Sequence, residues 1–361
     1  MSAETTPLKG TLTKVHTSIP RALSSHSLAI VGDYAYVFGG EQQARSAVDN
    51  SMHAYALPSA SERLSAAFHS DYDHIVAEAE GGGPVPPQRV GHTAATVGTC
   101  IYVFGGRSGP TAGPLEEHGR VWVFKTESRK WTHLDPAPTS PFPCGRSYHA
   151  AVGTDASFKD ASGGGAGTIF VHAGCAAKGR LNDTWAFDLT SRIWTKLPDA
   201  PPPPRSGAML AFARGMLWRF GGFDGAAELG GQLEFFDMRA PHQWGSVPIP
   251  DGQGPGARSM AGMQPMITAD GKEFLIVFGG ERCPCAKGRS DSGKFWGDVW
   301  AYALNGAGSW REVKPDTEED WGERGWFASA GGIRGGSAAL LWGGINAQNK
   351  REDDGWLLSL R

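Results

Sequence analysis

A doublet of glycines returns along this chain, each time directly after a run of β-forming residues, at Gly39, Gly105, Gly221, Gly279 and Gly343. Tyr36-Val37-Phe38 precedes the first doublet and Ile101-Tyr102-Val103-Phe104 the second. A sixth run, from Ile169 to Gly174, has the same form with alanine in place of the first glycine. Self-similarity of this kind marks a repeat architecture and constrains the fold more than any local propensity. Consecutive apolar residues imply strands buried on both faces, and the glycines let the backbone turn where side chains would collide. An arginine and a strand of small residues lie ahead of each doublet. Past it come a loop and an aromatic strand carrying Trp122, Trp185, Phe235, Trp300 or Trp356. In four units a last strand opens with Trp131, Trp194, Trp244 or Trp310.

Four short strands per unit is the content of one propeller blade. The chain is therefore expected to be all-β, a six-bladed β-propeller with four-stranded blades, forming a single domain over residues 1–361. Its blades are expected to open near residues 21, 89, 146, 205, 258 and 324. The sixth unit ends just after Trp356 without a fourth strand. Leu12-Thr13-Lys14-Val15 resembles Trp131-Thr132-His133-Leu134, so residues 8–19 are expected to complete that blade and leave no unpaired edge. Three long loops interrupt the pattern. In 59–87, the spacing of Leu64, Phe68, Tyr72 and Ile75 suits a short helix, with a flap hiding a fourth strand near His74 to Ala77 as the alternative. Segment 155–167 reads as a Gly/Ser-rich mobile excursion, and 282–296 as an insertion behind the fifth doublet.

Composition agrees with a packed chain. Apolar residues make up 40% and the formal net charge is -3, so the chain can bury a core and has no charge bias toward nucleic acid or a membrane. The N-terminal residues are polar with no apolar signal region, which makes a cytoplasmic protein the expectation. Five cysteines, scattered and odd in number, do not suggest a disulfide framework. No nucleotide-binding glycine pattern stands in a strand-to-helix context.

The Gly-Gly, Trp and Arg pattern resembles kelch repeats over essentially the whole chain. A finer likeness is carried by Arg324-Gly325-Trp326, Leu340-Leu341-Trp342-Gly343-Gly344, Tyr36-Val37-Phe38-Gly39-Gly40-Glu41, and Gly222-Phe223-Asp224-Gly225. These resemble segments of the epithiospecifier, nitrile-specifier and thiocyanate-forming kelch proteins of plants. The resemblance implies a pocket at the channel mouth and a specifier-like lyase or isomerase acting on a small polar or electrophilic metabolite. It also implies an iron held by Glu, Asp and His spaced four apart behind the fifth doublet. Here those positions read Glu281, Cys285 and Arg289. Only the glutamate matches, and arginine is donor-only.

The candidate site residues follow from rotational equivalence. Arg21, Arg89, Arg146, Arg205, Arg258 and Arg324 are expected to ring one mouth of the channel, either clamping a ligand anion or tying strand ends to neighbouring blades. Arg89 and Arg146 resemble pocket arginines of the specifier proteins. His26, His92 and His149 fall beside that ring, as acid, base or metal ligand, or as packing groups bonded to backbone. His92, His149 and Arg146 are the catalytic candidates. Trp326 is expected near the axis, stacking on a ligand or plugging the channel. Glu281, Cys283 and Cys285 crowd one loop and could hold Fe(II) or Zn, against incidental thiols in a solvent-facing loop. The expected partner is a small molecule in the central channel. A non-catalytic protein-interaction scaffold is the competing function, and a copper-radical oxidase finds no assembled ligand set.

Overall fold

The computed structural model describes residues 8–17, 21–58, 68–108, 113–155, 166–239, 242–283, 293–305, 308–317 and 319–361. Within them the chain is almost wholly β, with two three-residue 3-10 turns, Glu80–Gly82 and Arg334–Gly336. Successive strands pair antiparallel as meanders in a propeller arrangement. Four sheets of four strands each use one stretch of chain: from Ser27–Val31 to Tyr72–Ile75, from Thr93–Val97 to Lys130–Leu134, from Ala150–Thr154 to Trp194–Leu197, and from Met209–Ala213 to Trp244–Pro248. A fifth sheet has nine strands and contains two meanders. One runs from Gly262–Ile267 to Trp310–Asp316; the other comprises Ala328–Ile333, Ala338–Trp342, Gly355–Leu360 and the N-terminal strand Leu8–Thr17.

That N-terminal strand joins the two ends of the chain. Leu12 stands opposite Leu358 in an antiparallel pair with the last strand, as the sequence of Leu12 to Val15 led us to expect. The strand also pairs parallel with Trp310–Asp316 and with Phe68–Ser70, so it draws three distant segments together. No helix among the described residues is long and apolar enough to cross a membrane.

The short helix expected from Phe68, Tyr72 and Ile75 is absent, and Leu64 lies outside the described residues. Tyr72–Ile75 is the fourth strand of the first sheet, paired with Met52–Ala56, and it overlaps the fourth strand that the alternative reading put near His74 to Ala77. The reason lies in the packing. Residues three apart on a strand point to opposite faces, and Tyr72 packs on the apolar cluster of one neighbouring meander while Ile75 joins the cluster of the other. A site with apolar neighbours on two sides favours a strand over a one-sided helix. The loop 155–167 falls mostly outside the described residues, and so does most of 282–296.

Apolar faces of neighbouring meanders meet in six clusters that follow one another around the molecule. Fourth-strand tryptophans do much of this packing. The Trp131 ring lies 5.0 Å from Phe38 and the Trp194 ring 5.3 Å from Phe104, each reaching the strand before the previous unit's doublet.

Two hydrogen-bond patterns build the mouth of the channel. In the first, the second residue of each doublet donates its N–H to the residue opening the next unit: Gly40 to Arg89 at 2.9 Å, Gly106 to Arg146 at 2.8 Å, Gly174 to Arg205 at 2.9 Å, Gly222 to Arg258 at 2.8 Å and Gly280 to Arg324 at 2.8 Å. Gly344 donates to Leu23 at 2.8 Å, so Leu23 and not Arg21 holds the opening position of the first unit. Gly40 has φ +89°, and a Cβ there would stand 2.6 Å from the Cβ of His26. In the second pattern, Ser25, Gly91, Tyr148, Gly207, Met260 and Trp326 all take left-handed φ values of 50° to 62°. Each donates its N–H to the carbonyl of the one before, and Ser25 donates to Trp326 at 3.0 Å, which closes a circle of six.

The N-terminal strand should be a stability element. Leu12 is 4% exposed, so Leu12→Ala should cost about 2–5 kcal/mol in urea unfolding. The same change at exposed Lys9 should be near neutral; equal small effects at both positions would mean that the strand does not hold the fold shut.

Candidate functional site

Just above the circle of left-handed residues lies a cavity of about 480 Å³. Its wall comes from one repeated position, the residue directly after each doublet: Glu41, Arg107, Cys175, Phe223, Glu281 and Ile345. Each is held by a short antiparallel bridge to the residue following a unit opener, such as Ser24 to Glu41 and Ser259 to Glu281. Tyr148, Gly207, Met260 and Trp326 line it from the circle, so the backbone ring doubles as the floor. Arg180, which begins the strand Arg180–Asp188, and Glu228 and Arg351, each at an isolated bridge, also line it.

The wall carries charge of both signs. Glu41 and Arg351 neutralise each other across 2.9 Å. Arg107 and Arg180 have no carboxylate partner among the described residues. The Arg107 guanidinium lies 4.6 Å above the Tyr148 ring and donates to its hydroxyl at 2.6 Å, while its Nε makes no hydrogen bond. Arg180 lies 4.8 Å from the Phe223 ring centre. Trp326 packs edge-on to Tyr148 at 5.3 Å and donates its indole N–H to Glu281 at 3.0 Å.

The unit arginines are used differently from the ligand ring that was expected. None of Arg21, Arg89, Arg146, Arg205, Arg258 or Arg324 lines this cavity. Arg89 is fully buried and forms two hydrogen bonds to Glu117, at 3.0 and 2.9 Å, and one to the carbonyl of Gly105. Arg146 does the same with Asp183, at 2.7 and 2.9 Å, and with Ala173. Arg258 pairs with Asp298 and Arg324 with Asp354. Each of these four carboxylates also accepts a tryptophan N–H, from Trp122, Trp185, Trp300 or Trp356. In the fourth unit Glu234 takes both Arg205 and Arg219. Arg21, two residues out of register, bonds Asp49 at 3.1 Å and meets His53 at 3.3 Å. The fork that suits a ligand anion is thus spent on an internal carboxylate of the same unit, which is neither the ligand clamp nor the tie to a neighbouring blade that the sequence left open.

The histidines lie below the floor. His26, His92 and His149 line a pocket of about 100 Å³ on the far side of Tyr148 and Trp326. The Nε2 of His92 meets the Ser27 hydroxyl at 2.9 Å, and that of His149 the Thr93 hydroxyl at 2.8 Å, so each reaches the preceding unit. Burial pushes His26 down to about 3. Burial first, and then the positive charges of Arg89 and Arg146, hold His92 and His149 well below the usual imidazole range. All three are neutral at physiological pH.

Of the metal candidates, only Glu281 and Cys283 lie within the described residues. Glu281 is 9% exposed and accepts the Trp326 N–H, Cys283 is exposed, and Cys285 and Arg289 lie outside the described residues. Among the described residues no three His, Cys, Asp or Glu side chains form a metal-holding group. The implied iron triad reads Glu281, Cys285 and Arg289, and a guanidinium offers a metal no lone pair, so the triad does not fit the ion and no step is routed through it.

Comparison with known proteins bears on the repeat. The family model described as the KLHDC2/KLHL20/DRC7 Kelch-repeats domain matches residues 4–164 and again 156–344. The chain belongs to the kelch-repeat family. This kelch protein is 27% identical to the N-(sulfonatooxy)prop-2-enimidothioate sulfolyase of Thlaspi arvense, over 93% of its own length and 92% of the relative's. It is 28% identical to human Kelch domain-containing protein 3 over 63% of its length, and spans 56% of that relative. A solved structure titled "Structure of YjhT" superimposes with a TM-score of 0.67 at 15% identity, covering 96% of this chain and 99% of that one, a likeness of fold alone.

Among the wall residues, the sequence reading singled out only Glu281 and Trp326. Glu41, Arg107, Cys175, Phe223 and Ile345 were missed, although their signal is simple: each directly follows a doublet. Arg180 and Glu228 carry no such mark.

Two outcomes follow. Arg146→Ala strands a buried carboxylate and should lower unfolding stability by about 3–5 kcal/mol, read by chemical denaturation; loss of ligand binding with stability intact would return Arg146 to the site. The buried histidines stay neutral in the folded chain while the unfolded chain protonates near 6.5. Stability should therefore be complete above that pH and decline as pH falls toward 4, by up to about 1.4 kcal/mol per pH unit for each histidine. His149→Asn should flatten this slope, and an unchanged slope would count against the assignment.

Proposed function

We propose that the chain is a six-bladed propeller whose mouth cavity binds a small organic molecule bearing an oxyanion and processes it as a specifier-like lyase or isomerase. The circle of six left-handed residues and the six interfacial clusters support the blade count, with the nine-stranded sheet read as two blades clasped through the N-terminal strand.

One observation carries the functional reading: Arg107 and Arg180 open into the same cavity, each laid on an aromatic face and neither in an ion pair with a carboxylate among the described residues. A guanidinium in that state keeps its donors for a planar or tetrahedral anion. Around the axis the two arginines come from the second and third units, flanking Tyr148 and Cys175, while Glu228 and Glu281 come from the fourth and fifth. A ligand with an anionic end and a neutral or electron-poor remainder suits this layout, its anion on the arginines and its body against Trp326 and Phe223. The Thlaspi relative is named for a substrate of this kind, an N-sulfonatooxy thioimidate. In this reading Arg89, Arg146, His92 and His149 act from beneath, holding Tyr148 and the floor in place.

The competing reading, a non-catalytic interaction propeller, shares the family membership. The cavity volume of about 480 Å³ favours a small molecule, since it falls in the usual range for such sites.

Calorimetric titration with methyl sulfate tests the binding claim. Arg107→Ala and Arg180→Ala should each weaken binding about tenfold or more, and the double variant should abolish it; unaltered affinity in both single variants would overturn the site. Release of inorganic sulfate by N–O cleavage of an N-sulfonatooxy thioimidate, above the rate without protein, would mark a lyase, whereas tight binding without turnover would assign a binding role.

A further inference from the structure

One acid in the cavity has no use in the account so far. Glu228 lines the wall, yet no hydrogen bond of good geometry reaches either of its buried carboxyl oxygens. Its cationic neighbour Arg180 makes no hydrogen bond to it among the described residues: the guanidinium lies over Phe223 and commits only its Nε, to Ser206 at 3.3 Å. The residue bridged to Glu228 is Phe223, through the backbone alone. A buried carboxylate without donors is costly, whereas a neutral carboxylic acid needs only one acceptor for its O–H.

Resting on the reading of this cavity as an oxyanion site, we infer that Glu228 is its proton-bearing group. It is an uncharged carboxylic acid that donates a hydrogen bond to the ligand's oxyanion, so that ligand and proton are held together. The surroundings agree. Burial is the largest influence and pushes the carboxyl up to about 8. The negative charges of Glu281 and Asp224 act in the same direction, and the Ser259 hydroxyl and Arg180 oppose them. The rest of the wall presents Arg107, Cys175, Tyr148 and the mutually neutralised Glu41 and Arg351.

The consequence is a binding site gated by proton occupancy. Below its titration range Glu228 is a donor and the oxyanion has three partners, two guanidinium groups and one O–H. Above that range its carboxylate competes with the ligand for Arg180 and repels it. The ligand then enters only with uptake of one proton.

Inorganic sulfate, which keeps its charge across the range, is the probe. Calorimetric titration of the full chain from about pH 6 to about pH 9.5 should give constant affinity up to about pH 8 and a fall of up to about tenfold per pH unit beyond it. Glu228→Gln should bind with little dependence on pH. A wild-type affinity constant to the upper limit, or a variant that keeps the fall, would overturn the inference. Absence of sulfate binding at every pH would sink the oxyanion reading itself, and a second measurement then decides the protonation state. The folded carboxyl keeps its proton up to about 8 while the unfolded one loses it near 4.5. The contribution of Glu228 to stability should thus decline across that window, set against the opposite contribution of the buried histidines, and the melting-temperature advantage of Glu228→Gln should widen across it. A constant gap would show that Glu228 is an ordinary carboxylate.

Discussion

The circle of N–H to C=O bonds that runs through Ser25, Gly91, Tyr148, Gly207, Met260 and Trp326 is the constraint on which the rest of this molecule depends. A left-handed backbone is free for glycine but costs on the order of 1 kcal/mol or more for other residues. Four of the six members are not glycine. The cost is met because each residue closes a hydrogen bond that no other conformation would supply, in a region where water is largely excluded. Fixing these six residues fixes where the first strands begin, where the doublets turn, and how far from the axis the cavity wall stands. Tyr148 and Trp326 gain a second role from the same geometry, since a side chain on the ring faces the cavity that the ring supports.

Around the circle, five buried arginines, the openers of five units, each bond a carboxylate of their own unit. Such ion pairs contribute little net stability compared with apolar packing, but losing one partner leaves a desolvated charge behind. Their value here is positional. The guanidinium also bonds a carbonyl of the doublet's first residue, as Arg89 does with Gly105 and Arg258 with Gly279, so the turn, the opener and the third strand are locked as one piece. The tryptophan N–H on the same carboxylate completes that arrangement. Chemistry is left to the positions outside this frame. Because one wall residue follows each doublet, six side chains of quite different character share one cavity without any change to the scaffold, which is how a fold can host unrelated functions.

Much of the architecture was legible because it repeats. The strand content, the aromatic positions of the third and fourth strands, and the pairing of Leu12 to Val15 with the last strand all follow from patterns written several times over. Trp326 could be placed at the axis for the same reason. Arg21 misled because its spacing to His26 is five residues and not three, and a hydrogen-bond register, not a residue type, decides that Leu23 is the opener. Tyr72 and Ile75 misled because a spacing of three or four also occurs on a strand that packs on both sides.

The sequence by itself determined the repeat, and with it the class of fold, since backbone turns and β-forming runs are local properties that glycine and branched or aromatic residues encode directly. Whether an arginine serves a ligand or a neighbouring carboxylate was decided only by tertiary structure. Glu117 lies 28 residues from Arg89 and Asp183 lies 37 from Arg146, and nothing local tells a fork which anion it will meet. The same holds for Arg107, Arg180 and Glu228. Their charges are plain in the sequence, but their availability depends on burial and on partners that exist only once separate units have closed around one axis.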